Sequence, residues 1–198
     1  MARPTVAPER RAQIVRAVIE ILAEEGWDGL TLRRISEVTG LSNGAVSHFA
    51  GRKEELVAEA IRRHYAGYVR RAEEVTAEGT PRERLENWVN DIVAPGAENQ
   101  REWASWVALW GRAPFEKAIE SELKIVYRVH SGSLAAVIED GVADGDFHPS
   151  RPAAEIADDC VAMIDGYALR RTVDPKAFPP KRVRDLTLRF LNGELQEG

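Results

Sequence analysis

The stretch "GLSNGAVSHFAGRKEEL", Gly40–Leu56, decides how this chain is read. Wound at about 100° per residue, it places Asn43, Gly44, Ser47 and His48 on one side and Ala45, Val46 and Phe49 on the other. One side packs and the other is small and polar. A helix kept at the surface for solubility alone draws on Glu, Lys and Gln, which form helix better than Asn, Gly, Ser and His. Small polar residues in their place allow another molecule to come close. A DNA major groove admits one α-helix, and residues near that helix's N-terminus reach the base edges.

The residues on either side fit this reading. Ser42 is an N-cap for the short helix, which ends near Gly51. Before it, Thr31 caps a helix of about Leu32 to Thr39, and Gly40 supplies a left-handed turn. A helix N-terminus at Thr31, reinforced by Arg33, suits a phosphate. Helix, glycine turn, helix is the helix-turn-helix arrangement, although that shape alone occurs in many helical proteins. The charge distribution adds to it. The chain of 198 residues has a net charge of −5, yet Arg33, Arg34, Arg52 and Lys53 between Thr31 and Lys53 meet only Glu37. A locally basic face on an acidic protein is what a phosphate-contacting surface requires.

Helical periodicity runs through the rest of the chain, and no sustained period-2 strand occurs. Ile14, Val18, Ile21 and Leu22 mark a first helix that Pro8 starts and Gly26 ends. A long connecting helix begins near Lys53, and "AEGTP" closes it around Thr76 to Pro81. Helices are then expected at about Pro81 to Val93, Glu98 to Trp110, Phe115 to Asp144, Pro152 to Thr172 and Pro180 to Asn192. The expected fold class is all-α with about nine helices. A three-helix DNA-binding domain (1–52) leads through a connecting helix (53–75) into a ligand-binding and dimerisation bundle (76–198).

These residues resemble a family. "TLRRISEVTGLSNGAVSHFAGRKEEL" is similar to the DNA-binding segment of the TetR family of bacterial transcriptional repressors over about residues 10 to 63. By that resemblance Thr31, Arg33, Ser42, Asn43, Gly44, Ser47, His48, Phe49 and Lys53 are the DNA-contacting set, with Lys53 on phosphate. There are two departures. Ser47 stands where a Tyr is usual, a Ser-His pairing similar to the branch that includes choline-responsive regulators of glycine betaine synthesis. Ala50 stands where a core Phe is usual, leaving space for Phe49 or Trp27 to fill. "REWASWVALWGRA", "GVADGDF" and "MIDGYALRR" resemble the C-terminal domain of the same branch.

Trp103, Trp106 and Trp110 form an aromatic stripe at i, i+3 and i+7. Such a stripe is ordinarily core, but with Trp88 this segment holds four of the five tryptophans. Together with Tyr127, His130, Met163 and Tyr167 they are candidates to line an apolar effector cavity, and an acid such as Asp91 or Glu102 would let it enclose a cation. The expected effector is an aromatic or cationic small molecule. On the last two helices, Ile156, Cys160, Ile164, Val183, Leu186 and Phe190 are candidates for a twofold interface, which the resemblance implies. One short reading helix covers few base pairs, so a homodimer on a near-palindromic operator follows, its half-sites one turn or a multiple apart, about 34–36 Å.

Other functions are disfavoured or kept as rivals. Cys160 is the single cysteine, so neither an intrachain disulfide nor a thiolate cluster is available. His48, His64, His130 and His148 form no HExxH, no glycine-rich phosphate loop occurs, and "SGS" at Ser131–Ser133 is no nucleophile elbow. No enzyme, metal or cofactor is expected. No apolar run approaches the roughly 20 residues of a membrane span, and the N-terminus lacks a leader's apolar segment, so a cytoplasmic protein without membrane partners is expected. The main rival is an all-α ligand-binding or scaffolding dimer that does not read DNA.

Overall fold

A computed structural model describes residues 6–196, with side chains from residue 8 onward. The stretch read as lacking a leader begins outside the described residues. Among them there are nine helices and no strand: α1 (Val6–Gly29), α2 (Leu32–Thr39), α3 (Asn43–Ala50), α4 (Lys53–Val75), α5 (Pro81–Ile92), α6 (Ala97–Trp110), α7 (Lys117–Ala143), α8 (Ala153–Val173) and α9 (Pro180–Leu195). The all-α expectation holds. No described helix is long and apolar enough to cross a membrane.

The chain forms two compact units. One takes the described residues up to Ala66 together with Arg101–Lys124; the other takes Gly67–Gln100 together with the described residues from Ile125 onward.

The first unit is built on α1. Ile14, Val18, Ile21 and Leu22 are at most 1 % exposed, the core face that their spacing predicts. Gly26 ends this run with φ 68° and ψ −164°, and one further turn of helix follows. Leu30, in the link before α2, is buried with Ile35 of α2 and Val46 and Ala50 of α3, adding the packed sides of those helices to this core. Gln13 of α1 donates to the Thr39 carbonyl at 2.7 Å, satisfying the end of α2, and Gly40 follows at φ 68°.

In the second unit α9 packs on α8 and α5. Thr80 starts α5 with a reciprocal cap: its Oγ1 accepts from the Glu83 amide at 3.3 Å, while Glu83 Oε2 accepts from the Thr80 amide at 2.9 Å. The turn after α7 folds Phe147, 2 % exposed, onto Gly141. The amide of the next residue, His148, donates to the Leu195 carbonyl at 2.8 Å and ties that turn to the end of α9.

Candidate functional site

Both caps read from the sequence are formed. Thr31 Oγ1 accepts from the Arg34 amide at 3.1 Å, and Ser42 Oγ accepts from the Ala45 amide at 3.2 Å. The α2–α3 turn is held from inside, since Ser36 Oγ donates to the Leu41 carbonyl and the Leu41 amide donates to Thr39 Oγ1 at 3.3 Å. α3 therefore leaves α2 at a set angle, with Val46 and Ala50 inward.

Ser42, Asn43, Gly44, Ser47 and His48 are all exposed, as are Thr31 and Arg33. A Cβ built on Gly44 would meet nothing within 4 Å. The glycine is thus not demanded by packing inside the chain. Phe49 is half-buried, with its ring edge-on to His48 at 4.8 Å and the Arg10 guanidinium 5.9 Å from its centroid.

Three expectations are modified by neighbours from elsewhere in the chain. The basic surplus is largely neutralised by Glu37 and by carboxylates from flanking segments: Arg34 pairs with Glu25 at 2.5 Å as well as with Glu37, Arg33 pairs with Glu37 at 2.9 Å, and Arg52 lies within 4.0 Å of Glu54 and Glu55. Such exposed pairs are each worth little, so they yield readily to a phosphate. Secondly, Trp27, offered as a filler under α3, has two cations on its ring: the Lys53 ammonium is 4.3 Å and the Arg112 guanidinium 4.7 Å from its centroid. Lys53 Nζ also donates to the Trp27 carbonyl at 3.4 Å, and partial burial, then the neighbouring Arg112, lower its pKa. The lysine expected on phosphate is here engaged with an indole. The third concerns the acids proposed to hold a cation, because Asp91 faces Arg71 at 3.6 Å and Glu102 faces His64 at 3.4 Å.

The candidate ligand residues fall into separate groups. In the first unit, Trp103 and Trp106 are buried and Trp110 half-buried, with Trp103 and Trp110 centroids 6.5 Å apart. In the second unit, Trp88 is 1 % exposed; its Nε1 donates to Ser133 Oγ at 3.0 Å and its ring lies 5.2 Å from that of His130. His130 Nε2 shares a 2.8 Å hydrogen bond with the Tyr68 hydroxyl, and burial lowers its pKa to about 4, keeping the ring neutral. Tyr127, Met163 and Tyr167 are half-buried, with Tyr167 stacked on Phe178 at 6.1 Å.

Asp165 was missed by the sequence reading. It is half-buried on α8 and accepts a hydrogen bond from Tyr127, and burial raises its pKa to about 7. Among the described residues no Lys or Arg pairs with it. A carboxylate inside the apolar run "CVAMIDGYAL" was the available signal. No group of three described His, Cys, Asp or Glu residues is placed to hold a metal.

The residues expected at a dimer interface are mostly used inside the chain. Ile156, Cys160, Ile164 and Val183 are 0, 0, 1 and 5 % exposed and have no surface left for a second copy, whereas Leu186 and Phe190 stay half-buried. The open apolar stripe of α8 is instead Ala162, Gly166, Leu169 and Val173, at i, i+4, i+7 and i+11. A single-sequence helical pattern marks two apolar faces without saying which one the chain itself covers.

Comparison with known proteins identifies the family of the chain. Residues 14–60 match the family described as bacterial regulatory proteins, tetR family, and residues 81–196 match the BetI-type transcriptional repressor C-terminal family. The HTH-type transcriptional regulator BetI of Burkholderia mallei is 30% identical over 171 residues, covering 81% of this chain and 80% of that protein. The regulator BetI 1 of Chromohalobacter salexigens is 25% identical over 200 residues, covering 98% and 95%. Among solved structures, a putative transcriptional regulator from Saccharomonospora viridis in complex with choline superposes with TM-score 0.85 at 23% identity, covering 95% of this chain and 98% of that one.

Proposed function

Because the chain belongs to the TetR family of DNA-binding transcriptional regulators, with a BetI-type repressor C-terminal domain, and is not an enzyme, we propose that it acts as a homodimeric repressor released by a cationic small molecule. The observation that carries the DNA-reading part is α3 itself: capped at Ser42, packed through Val46 and Ala50, and open on the face of Asn43, Gly44, Ser47 and His48. Residues 1–52 form the reading head, 53–75 the connecting helix and 76–198 the effector and dimerisation part. Thr31 and Arg33 hold phosphate, and Lys53 joins them when it leaves the face of Trp27. The base-facing set is Ser42, Asn43, Gly44, Ser47 and His48, backed by Phe49.

The dimer seam runs along Ala162, Gly166, Leu169 and Val173 of α8, flanked by Leu186 and Phe190 of α9. Two reading helices related by a twofold axis then meet half-sites of a near-palindromic operator. For the effector, Asp165 supplies the negative charge, and Tyr127 with the half-buried Tyr167 and Met163 supplies the polarisable surround. The choline held by the Saccharomonospora structure supports a quaternary ammonium as the class. Effector binding shifts the population toward a state with altered spacing of the reading helices, and operator must in turn weaken effector binding by the same factor.

The test is a mobility shift on the DNA flanking the chain's own gene, with and without choline. Retardation lost in Asn43→Ala and His48→Ala, and reversed by choline, is the expected result. A wild type that binds no sequence in preference to random duplex, at low salt and in a genome-wide selection, refutes the repressor reading. Light scattering of a Val173→Glu, Leu169→Glu double variant tests the seam: it should be monomeric where the wild type is dimeric.

A further inference from the structure

α3 has too little of its own to hold it in place. It is two turns long, and an eight-residue helix leaves as many terminal backbone groups unpaired as it pairs internally. Its composition, NGAVSHFA, is poor in strong helix formers, and helices this short are unstable in isolation. Only Val46 and Ala50 are buried. With Ala50 so small, one valine and one methyl group are the fully buried anchors of the helix; the turn from α2 sets its N-terminal end and leaves the C-terminal end to be held by something else.

The C-terminal end is held by a residue from elsewhere in the chain. Arg11, on α1, donates from Nη1 to the carbonyls of both Phe49 and Ala50, the latter at 3.1 Å. Its Nε donates to Glu59 Oε2 on α4 at 2.7 Å, and its Nη2 lies 2.7 Å from the same oxygen. The other oxygen of Glu59 pairs with Arg63 at 2.8 Å. One guanidinium thus joins three helices, and its positive charge sits at the end of α3 where the helix dipole favours a cation. The fork is turned inward on carbonyls and a carboxylate, a geometry that a lysine's single ammonium does not reproduce.

From this geometry we infer that Arg11 is the positioning residue of the reading helix: held by Glu59, it fixes the last turn of α3 and with it the placement of Ser47 and His48. It touches neither base nor phosphate in this role. The inference rests on the DNA-reading function proposed above and adds to it a residue outside the helix-turn-helix segment on which sequence discrimination depends. Non-specific affinity comes from phosphate contacts and leaves α3 out, so the two affinities separate the roles.

The experiment compares wild type, Arg11→Met, Arg11→Lys and Glu59→Gln, each as the full chain. For each, affinity for the operator and for random duplex is measured across a salt series. In Arg11→Met the ratio of specific to non-specific affinity should fall roughly tenfold or more, the scale of a lost charge-assisted hydrogen bond. Arg11→Lys and Glu59→Gln should fall in between, and non-specific affinity and salt slope should stay at wild-type values in all three. A second readout needs no DNA: amide hydrogen exchange at residues 47–50 should speed up in Arg11→Met relative to α2. Two results overturn the inference. One is a specificity ratio within twofold of wild type, with unchanged exchange, in Arg11→Met or, if that variant does not fold, in Glu59→Gln. The other is an equal fall in both affinities with a salt slope smaller by about one, which would make Arg11 a phosphate contact. A wild type with no operator preference would instead refute the DNA-reading function, while the exchange measurement would still decide the role of Arg11 in holding α3.

Discussion

Gly44 separates what the fold requires from what the partner requires. It lies in the first turn of α3 and is exposed, and a Cβ there would meet no atom within 4 Å. Alanine in its place relieves the backbone entropy that glycine loses in a helix, a gain of up to about 1 kcal/mol. In a chain of this size that raises Tm by roughly 2–4 °C. Leucine has nearly the same helix propensity and finds no core to enter, so it should be close to neutral or slightly stabilising as well. Against DNA the order reverses. If α3 lies in the groove with its small face toward the bases, Gly44→Leu places a bulky side chain where the helix must approach closely. Its operator affinity should fall at least about tenfold, or roughly 1.4 kcal/mol, with Gly44→Ala between it and wild type. Thermal unfolding and fluorescence anisotropy on a labelled operator measure the two quantities on one preparation. Operator binding by Gly44→Leu within twofold of wild type would refute the close-approach argument. A loss of stability above about 1 kcal/mol in Gly44→Ala would show that the glycine serves the fold after all.

Other perturbations follow from the second unit. Gly141→Ala would set a Cβ 2.1 Å from Phe147 Cδ2, and because that ring is 2 % exposed it has little room to yield; a loss of about 1–3 kcal/mol in thermal or urea unfolding is expected. His130 has a folded pKa of about 4, below its unfolded value, so its contribution is present above pH 6.5 and disappears as pH falls toward 4; the difference between wild type and His130→Gln should shrink over that window by on the order of 3 kcal/mol. Asp165 works in the opposite sense. With its pKa raised to about 7, its contribution is present at low pH and is lost as pH rises from 3.8 through 7, so Asp165→Asn should gain stability relative to wild type over that range. If Asp165 is the anchor of a cationic effector, choline should bind the wild type more tightly at pH 8 than at pH 6 by calorimetry, and Asp165→Asn should bind weakly and without pH dependence.

What the sequence disclosed and what it withheld divide along a physical line. The bounds of α2 and α3 and both of their caps follow from local chemistry, since Thr31, Gly40, Ser42 and Gly51 each act within four residues of themselves. The long helices were legible for the same reason. Contacts that cross the chain were not. Nothing near Arg11 in sequence indicates that it reaches the carbonyls of Phe49 and Ala50, nothing near Lys53 indicates Trp27, and the carboxylates that neutralise Arg34 and Arg52 lie partly outside the basic stretch. The apolar faces of α8 and α9 were visible, but their assignment depended on which neighbours reach them. Ile156, Cys160 and Ile164 turned inward, leaving Leu169 and Val173 outside. Asp165 was legible in principle, as a carboxylate within an apolar run, and was passed over in favour of Asp91 and Glu102, which have basic neighbours.

The inward turn of Cys160 gives this chain a practical property. Its thiol is 0 % exposed, and burial pushes its pKa up to about 12, so almost no thiolate is available to an alkylating reagent. A cysteine introduced on an exposed position such as Arg33 would therefore be the sole reactive thiol, with no need to alter the native one. Nitroxide labels attached there in a dimer would form a single pair. Their separation, read by pulsed electron resonance with and without effector, would measure the spacing of the two reading heads directly.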